Sequence, residues 1–258
     1  MEFSPLVYVA LIAVAFFAGF ISSIAGSGGL IVLPVLLAAG IPPLTALATN
    51  KFQSVFGTLS STINFLRHGH LDLAALKGAL ICAFSGALLG TWLVQRVSSD
   101  LLSQGLPYIL LALAAYVMFM PDPSGFQKKQ GENQPWHRRK FAIWAGGGIG
   151  LYGGFLGPGV GSFFTLALVA LRGLSLTQAT AASKPLVLVT NSTSTVLFVY
   201  AGLVFWPLAL SMAIAQFVGA RLGSNLVISR GAAFIKPVLI GVLVCLSLKL
   251  LLFPSPSA

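Results

Sequence analysis

Lys51 lies inside an apolar segment, ALATNKFQSV, and Lys184 lies inside another, ATAASKPLVL, 133 positions later. The same offset pairs Gly40 with Gly173, Phe65 with Phe198, Gly69 with Gly202, Gly86 with Gly219 and Gly90 with Gly223. A fixed internal period of this length marks a duplicated unit. A charge deep in an apolar stretch is costly and normally has a functional reason. A duplicated apolar unit with one internal cation per copy is therefore expected to form a membrane transporter for something negative.

The solvent follows from composition. Of 258 residues, 57% are hydrophobic and 8% are charged, against about a quarter charged in an ordinary soluble domain. So little charge cannot wet a soluble surface, and lipid is the expected solvent. The length allows about eight crossings of about 20 residues each. The formal net charge of +10 does not point to nucleic acid, because the basic residues sit mostly where apolar segments end, as the positive-inside rule requires. Residues 5–20 resemble a signal-peptide core but have no basic flank, and the apolar character continues, so they are expected to belong to the mature chain. Cys82 and Cys245 lie in apolar segments with no metal spacing, and are expected to be small buried hydrophobes.

The expected fold class is an all-α polytopic membrane protein built from two repeats of five apolar segments each. The first repeat, 1–120, carries segments at 5–24, 29–39, 43–66, 72–95 and 101–120. The second, 141–258, carries them at 142–156, 160–172, 175–200, 204–228 and 232–253. Between them, 121–140 is a polar linker holding Lys128, Lys129, Arg138, Arg139 and Lys140, expected to be cytoplasmic. The segments at 29–39 and 160–172 are too short for standard spans, and glycine-rich breaks precede them: AGSGG, with Ser27, Gly28 and Gly29, and GPGVG, with Gly159 and Gly161. Glycine permits a sharp turn and close backbone approach. Non-helical backbone inside a bilayer survives only against protein or a watery cavity. Each copy is thus expected to open with a broken or re-entrant element lining a pathway, with ordinary tight loops as the plainer alternative.

Loop charges relate the two copies. With 121–140 inside, an odd number of crossings per copy puts Arg172, Arg230 and Lys236 inside and leaves the uncharged loop at 201–204 outside. An even number puts those three charges outside. The odd count obeys the charge rule, although Arg96 dissents. It predicts inverted repeats related by an in-plane pseudo-two-fold, with both termini facing outward.

Lys51 falls about eight residues into its segment, roughly 12 Å along a helix and near the bilayer midplane. Lys184 is its equivalent. The acidic residues Glu2, Asp72, Asp100, Asp122 and Glu132 all lie at segment ends or in loops. The expected partners of the lysines are therefore a transported anion, water, and carbonyl or hydroxyl oxygens. A lysine that only caps backbone carbonyls at a break is the structural alternative. Each glycine-rich break also precedes a helix start, whose free N–H groups and dipole favour an anion. Two lysines and two helix starts would make a central positive pocket. Hydrogen bonds to an oxyanion are expected from Ser27, Ser162, Thr49, Asn50, Gln53, Ser183 and Asn191.

Other patterns carry less. The spacings Gly86-xxx-Gly90 and Gly219-xxx-Gly223 favour close helix packing in lipid. Arg221, between the second pair, suits lipid headgroups or the mouth of a pathway. His68 and His70 lack a third ligand, so no metal site is expected. AGSGG is not a nucleotide loop, since no Gly-Lys-Ser/Thr follows, which argues for a secondary carrier or channel over a pump, with no cofactor and no catalytic residue.

Three stretches resemble the TauE/SafE family of sulfite exporters and sulfonate permeases: AGFISSIAGSGGLIVLPVLLAAGIPPLTALATNKFQ, GFLGPGVGSFF and QFVGARLGSNLV. The resemblance runs from about residue 8 to about residue 250, and its most specific element is the glycine-rich segment followed by Ala-Thr-Asn-Lys. It implies transport of sulfite, sulfoacetate or another organosulfonate across the bacterial cytoplasmic (inner) membrane by a multi-pass protein. It places the family's paired motif on Asn50, Lys51 and Gln53, and on Ser183 and Lys184. Some relatives have histidine where this chain has Ser183, and Pro185 follows the lysine, so a proton relay does not carry over. The expected partners are a small anion and membrane lipid, not nucleic acid, and a homo-oligomer stays open. A non-transporting assembly or sensor subunit is the alternative. An intramembrane protease built on Ser27 is disfavoured, because His68, His70 and His137 all lie in loops or at segment ends, out of a nucleophile's reach.

Overall fold

The computed structural model describes residues 3–119 and 139–231. All the regular structure among them is helical: nine α-helices, a 3₁₀ turn and a π-helical stretch. The final apolar segment, 232–253, and residues 121–138 of the linker lie outside the described residues.

The helices begin and end where local chemistry dictates. Helix α1 (Pro5–Ala25) starts behind Ser4, whose hydroxyl accepts from Val7 N, with proline at the first turn. It stops at Gly26, whose φ of 78° ends the helix while its N–H bonds Ser22 O. Helix α2 (Gly29–Ala38) is short, as expected, and α3 (Pro43–Arg67) is long. A 3₁₀ turn, Ala74–Leu76, leads into α4 (Lys77–Val94), which is followed by α5 (Ser99–Phe119). In the second half, a π-helical stretch, Phe141–Ile149, runs directly into α6 (Gly150–Phe155). Helix α7 (Val160–Arg172) matches its predicted segment residue for residue. Helix α8 (Leu176–Tyr200) opens on a capping box between Ser175 and Gln178, and α9 (Trp206–Arg230) closes the described chain.

The π-helical stretch is the feature that apolar patterning missed. It covers the glycine run Gly146, Gly147 and Gly148, where no side chain resists a widened turn and helix propensity is lowest. The glycines also let α4 approach. A methyl group on Gly146, Gly150 or Gly154 would collide with the backbone of Ala79, Ala83 or Ala87 respectively.

Packing repeats under exchange of the halves. Helix α1 packs on α9, and the π/α6 stretch packs on α4; α3 packs on α9, and α8 packs on α4; α3 and α8 pack on each other. The small-residue pairs sit at these crossings. Gly219 and Gly223 lie against the backbone of Phe16 and Phe20, while Gly86 and Gly90 lie against Gly147 and Leu151. Two apolar clusters flank the centre. One joins the start of α3 (Ala46, Leu47, Phe52) to the end of α8 (Phe198). The other joins the end of α3 (Phe65) to the start of α8 (Leu176, Ala179, Ala182).

The polarity is reversed relative to a soluble protein. Phe17, Phe84, Trp92, Trp144, Val196, Tyr200 and Ile214 are exposed, while Thr49, Asn50, Gln53, Ser60, Ser61, Asn64, Thr190 and Ser194 are buried. Such an apolar exterior suits lipid. Two segments, Pro5–Ala25 and Ala74–Val94, are long and apolar enough on their own to cross a bilayer.

Gly154→Val forces a side chain into the Ala87 backbone and is expected to lower the Tm of detergent-solubilised protein, at a cost of about 1–3 kcal/mol or more. Gly105→Ala, in a position with open space around it, is expected to be neutral or stabilising by about 0.5–1 kcal/mol. Thermal scanning of both variants checks the pair; equal Tm values would refute the close crossing.

Candidate functional site

The sequence around each glycine-rich break folds into a helix end, a sharp turn and a new helix start, and the two breaks meet. Gly26 and Gly157 both have positive φ, 78° and 93°, a conformation that favours glycine. Gly26 touches the backbone of Gly161 and Ser162 so closely that no Cβ fits between them. The Ser162 hydroxyl donates to Ala25 O across the junction at 2.6 Å.

Both lysines are buried beside this junction. Lys51 is 1% exposed and Lys184 is 2% exposed. Lys51 Nζ donates to Gly153 O, at the end of α6. Lys184 Nζ donates to Ser22 O, in the last turn of α1, at 2.8 Å. The two bonds are equivalents: around the breaks the halves align at an offset of 131, which superposes Ser22 on Gly153, Gly26 on Gly157 and Gly28 on Gly159. Each lysine thus reaches from the long helix of one half to the broken helix of the other. The geometry is that of carbonyl capping, and no acidic side chain pairs with either lysine among the described residues.

A small polar cavity opens at this place, lined by residues of both halves: Asn50, Lys51 and Ser54 from α3, Ser22, Gly26 and Gly29 from the first break, Gly157, Gly159 and Val160 from the second, and Val187 and Asn191 from α8. About 20 Å³ of it is open to the centre of a water molecule, room for a water or two. It is partly open to the surroundings and contains the first residues of both α2 and α7. One lysine, two asparagines, two serines and two helix starts make it a donor-rich site, suited to an oxyanion.

The model of the sulfite exporter TauE/SafE family matches residues 11–250. The chain belongs to the TauE/SafE family. It is 43% identical to the probable membrane transporter protein YfcA of Escherichia coli (strain K12) over 251 residues, covering 96% of this chain and 91% of that one. It is 40% identical to the probable membrane transporter protein ORF9 of Sinorhizobium sp, covering 95% and 92%. It is 36% identical to a probable membrane transporter protein of Haemophilus influenzae, covering 89% of each chain. No solved structure matches. These names describe membrane transporters rather than enzymes.

The sequence motifs of this TauE/SafE member are assembled in part. Asn50, Lys51, Gly29, Gly159 and Asn191 line the cavity. Lys184 does not, but it bonds the carbonyl of Ser22, which does. Gln53 sits behind the lining, its amide donating to Asn50 Oδ1 at 3.3 Å. Gly28 packs against Ala18 and Ser22 of α1, and Gly161 against Gly26. Ser183 Oγ is spent on Thr180 O, and Ser162 Oγ on Ala25 O. Thr49 accepts from Phe205 N at the start of α9. Ser27 Oγ is buried without a hydrogen-bond partner among the described residues. Sequence reasoning missed Ser22, Ser54 and Val187. Ser54 was findable, one turn from Asn50 on α3; Ser22 lies in the helix before the break, where no motif marks it.

Gly157→Ala must both strain the backbone and displace Lys51, whose head group fills the space a Cβ would take. Gly40→Ala, with φ of 81° and open space around it, pays only the backbone strain, on the order of 1–3 kcal/mol. Thermal denaturation is expected to show the larger loss for Gly157→Ala, and equal losses would mean that Lys51 is not packed on this break.

Proposed function

We propose that the chain is a secondary transporter that moves a small sulfur-containing anion, such as sulfite, sulfoacetate or another organosulfonate, across the bacterial cytoplasmic membrane by alternating access. The observation that carries this reading is the pair of buried lysines, set on opposite halves at the one junction where both helix breaks meet. A lysine in this setting is expensive to desolvate. Its present acceptor is a neutral carbonyl, and Ser22 O already receives the Gly26 N–H at 2.9 Å. An entering anion is a stronger partner for the ammonium group than a shared carbonyl. The family's description names sulfite, and the donor-rich lining fits an ion with three or more acceptor oxygens.

Alternating access follows from an inverted-repeat reading of the fold. In this reading residues 1–120 and 141–258 are the two repeats, and 121–140 is the cytoplasmic linker. Three features support it: packing that maps onto itself under exchange of halves, the start of α3 beside the end of α8, and the paired lysine-to-carbonyl bonds. Rocking one repeat against the other would break the Lys51 and Lys184 bonds on one side at a time and expose the cavity to each face in turn. Ser27, Gln53 and Ser183 are assigned to a supporting shell around the ion.

Lys51→Ala and Lys184→Ala are each expected to reduce sulfite or sulfonate flux in proteoliposomes at least tenfold, with monodisperse, folded protein retained. Normal flux in both variants sinks the proposal. A reporter fused within 121–140 is expected to report the cytoplasm.

A further inference from the structure

The two breaks are built alike but are not held alike. The first is held from the other half, where Ser162 of α7 donates its hydroxyl to Ala25 O at 2.6 Å. The second is held from within: Tyr152 of α6 donates its hydroxyl to Pro158 O, across the break between α6 and α7. Neither tie has a copy in the opposite break. At the offset of 131, Tyr152 corresponds to Ile21 and Ser162 to Ile31, and isoleucine has no hydroxyl to donate.

Tyr152 grips the second break at several points. Its carbonyl accepts from Leu156 N at 2.9 Å and from Gly157 N at 3.2 Å, and its hydroxyl closes on Pro158. Its ring stands edge-on to Phe163, with centroids 5.3 Å apart, and packs against both apolar clusters. The chain so gripped is the part of the second half that meets Lys51. Gly153 O accepts from Lys51 Nζ, and Gly157 lies against the same head group. Gly157, Gly159 and Val160 form the second half's break-side wall of the cavity. The Gly157 bond matters in a further way. In the first half, Gly26 N bonds Ser22 O, the same carbonyl that Lys184 uses. In the second, Gly157 N passes over Gly153 to reach Tyr152 O, which leaves the Gly153 carbonyl to Lys51.

We propose that Tyr152 is a positioning residue for the anion site, holding the second break in one shape so that Lys51 and the cavity wall stay in register. A tie between halves, such as Ser162 to Ala25, is lost when the halves move apart. A tie within one half moves with that half. The second break therefore travels as one piece through a transport cycle, whereas the first depends on contact with its neighbour. A wall that is already ordered costs less to organise around an entering ion, so the tie shows itself as affinity. This inference rests on the transporter reading above.

The test compares Tyr152→Phe with Tyr8→Phe in the full chain. Tyr152→Phe keeps the ring and removes the bond. Tyr8 is a matched control, because its hydroxyl also donates to a proline carbonyl, Pro207 O, but at the α1–α9 contact. With sulfite as the probe, proteoliposome flux of Tyr152→Phe is expected to show KM raised about fivefold or more and kcat within about twofold of wild type. Tyr8→Phe is expected to change neither. Hydrogen exchange read by mass spectrometry, with no sulfur anion present, is expected to quicken at 153–160 in Tyr152→Phe and to stay unchanged at 22–29. A wild-type KM in Tyr152→Phe, a fall in kcat alone, or an equal rise of KM in Tyr8→Phe overturns the proposal. A wild-type KM in Tyr152→Phe beside lost flux in Lys51→Ala sinks this inference and leaves the anion reading standing. Absence of sulfite flux in the wild type sinks the anion reading, and exchange then decides the tie: faster exchange at 153–160 supports it, and unchanged exchange overturns it.

Discussion

A lysine buried without a carboxylate takes its hydrogen bonds from whatever oxygen lies in reach, and in this fold that oxygen belongs to the other half of the molecule. Lys51 bonds Gly153 O and Lys184 bonds Ser22 O. This reciprocity explains the neighbouring features. The helix before each break must end where its last carbonyls are offered to the lysine. It must turn on glycine so that the next helix starts beside the same head group. The long helices α3 and α8 must cross so that each head group lands on the opposite half. The duplicated sequence thus encodes a single interlocked centre rather than two independent bundles.

Much of this was legible from the residues. Within the described residues the apolar segments became helices with ends displaced by only a few residues, and the short elements α2 and α7 fell where the breaks placed them. The Gly86, Gly90, Gly219 and Gly223 pairs announced the tight crossings. Three things escaped. The π-helical stretch at Phe141–Ile149 leaves no mark in hydropathy, because it depends on how wide a glycine-rich turn opens. The bond from Lys184 to the Ser22 carbonyl is invisible to a reading of side-chain types. The retirement of Ser183 and Ser162 into hydrogen bonds with backbone carbonyls depends on rotamers, for which residue identity sets only the options.

The two halves share a scaffold but not a chemistry. Equivalent positions on α3 and α8 hold Asn50 and Ser183, Gln53 and Leu186, Ser60 and Thr193. At these positions the first half's long helix carries polar side chains where the second carries Ser183, Leu186 and Thr193, although the second keeps its own buried amide at Asn191. Duplication supplies the frame, and divergence within it sets which seam carries polar work. The inward-facing amide of Gln216 is tolerated where glycines on two neighbours, Gly19 and Gly57, leave it space.

The contact between Gly26 and Gly161 has a mechanical consequence. Here the halves touch main chain to main chain, and the Ser162 hydroxyl ties the contact by donating to Ala25 O. Interdigitated side chains resist sliding because each must leave its socket; two bare backbones do not. The junction is therefore a close backbone seam between the halves, held by one hydroxyl rather than by interdigitated side chains. In the proposed transport cycle, a rotation of one half over the other would shear this seam, which is also where the lysines reach across.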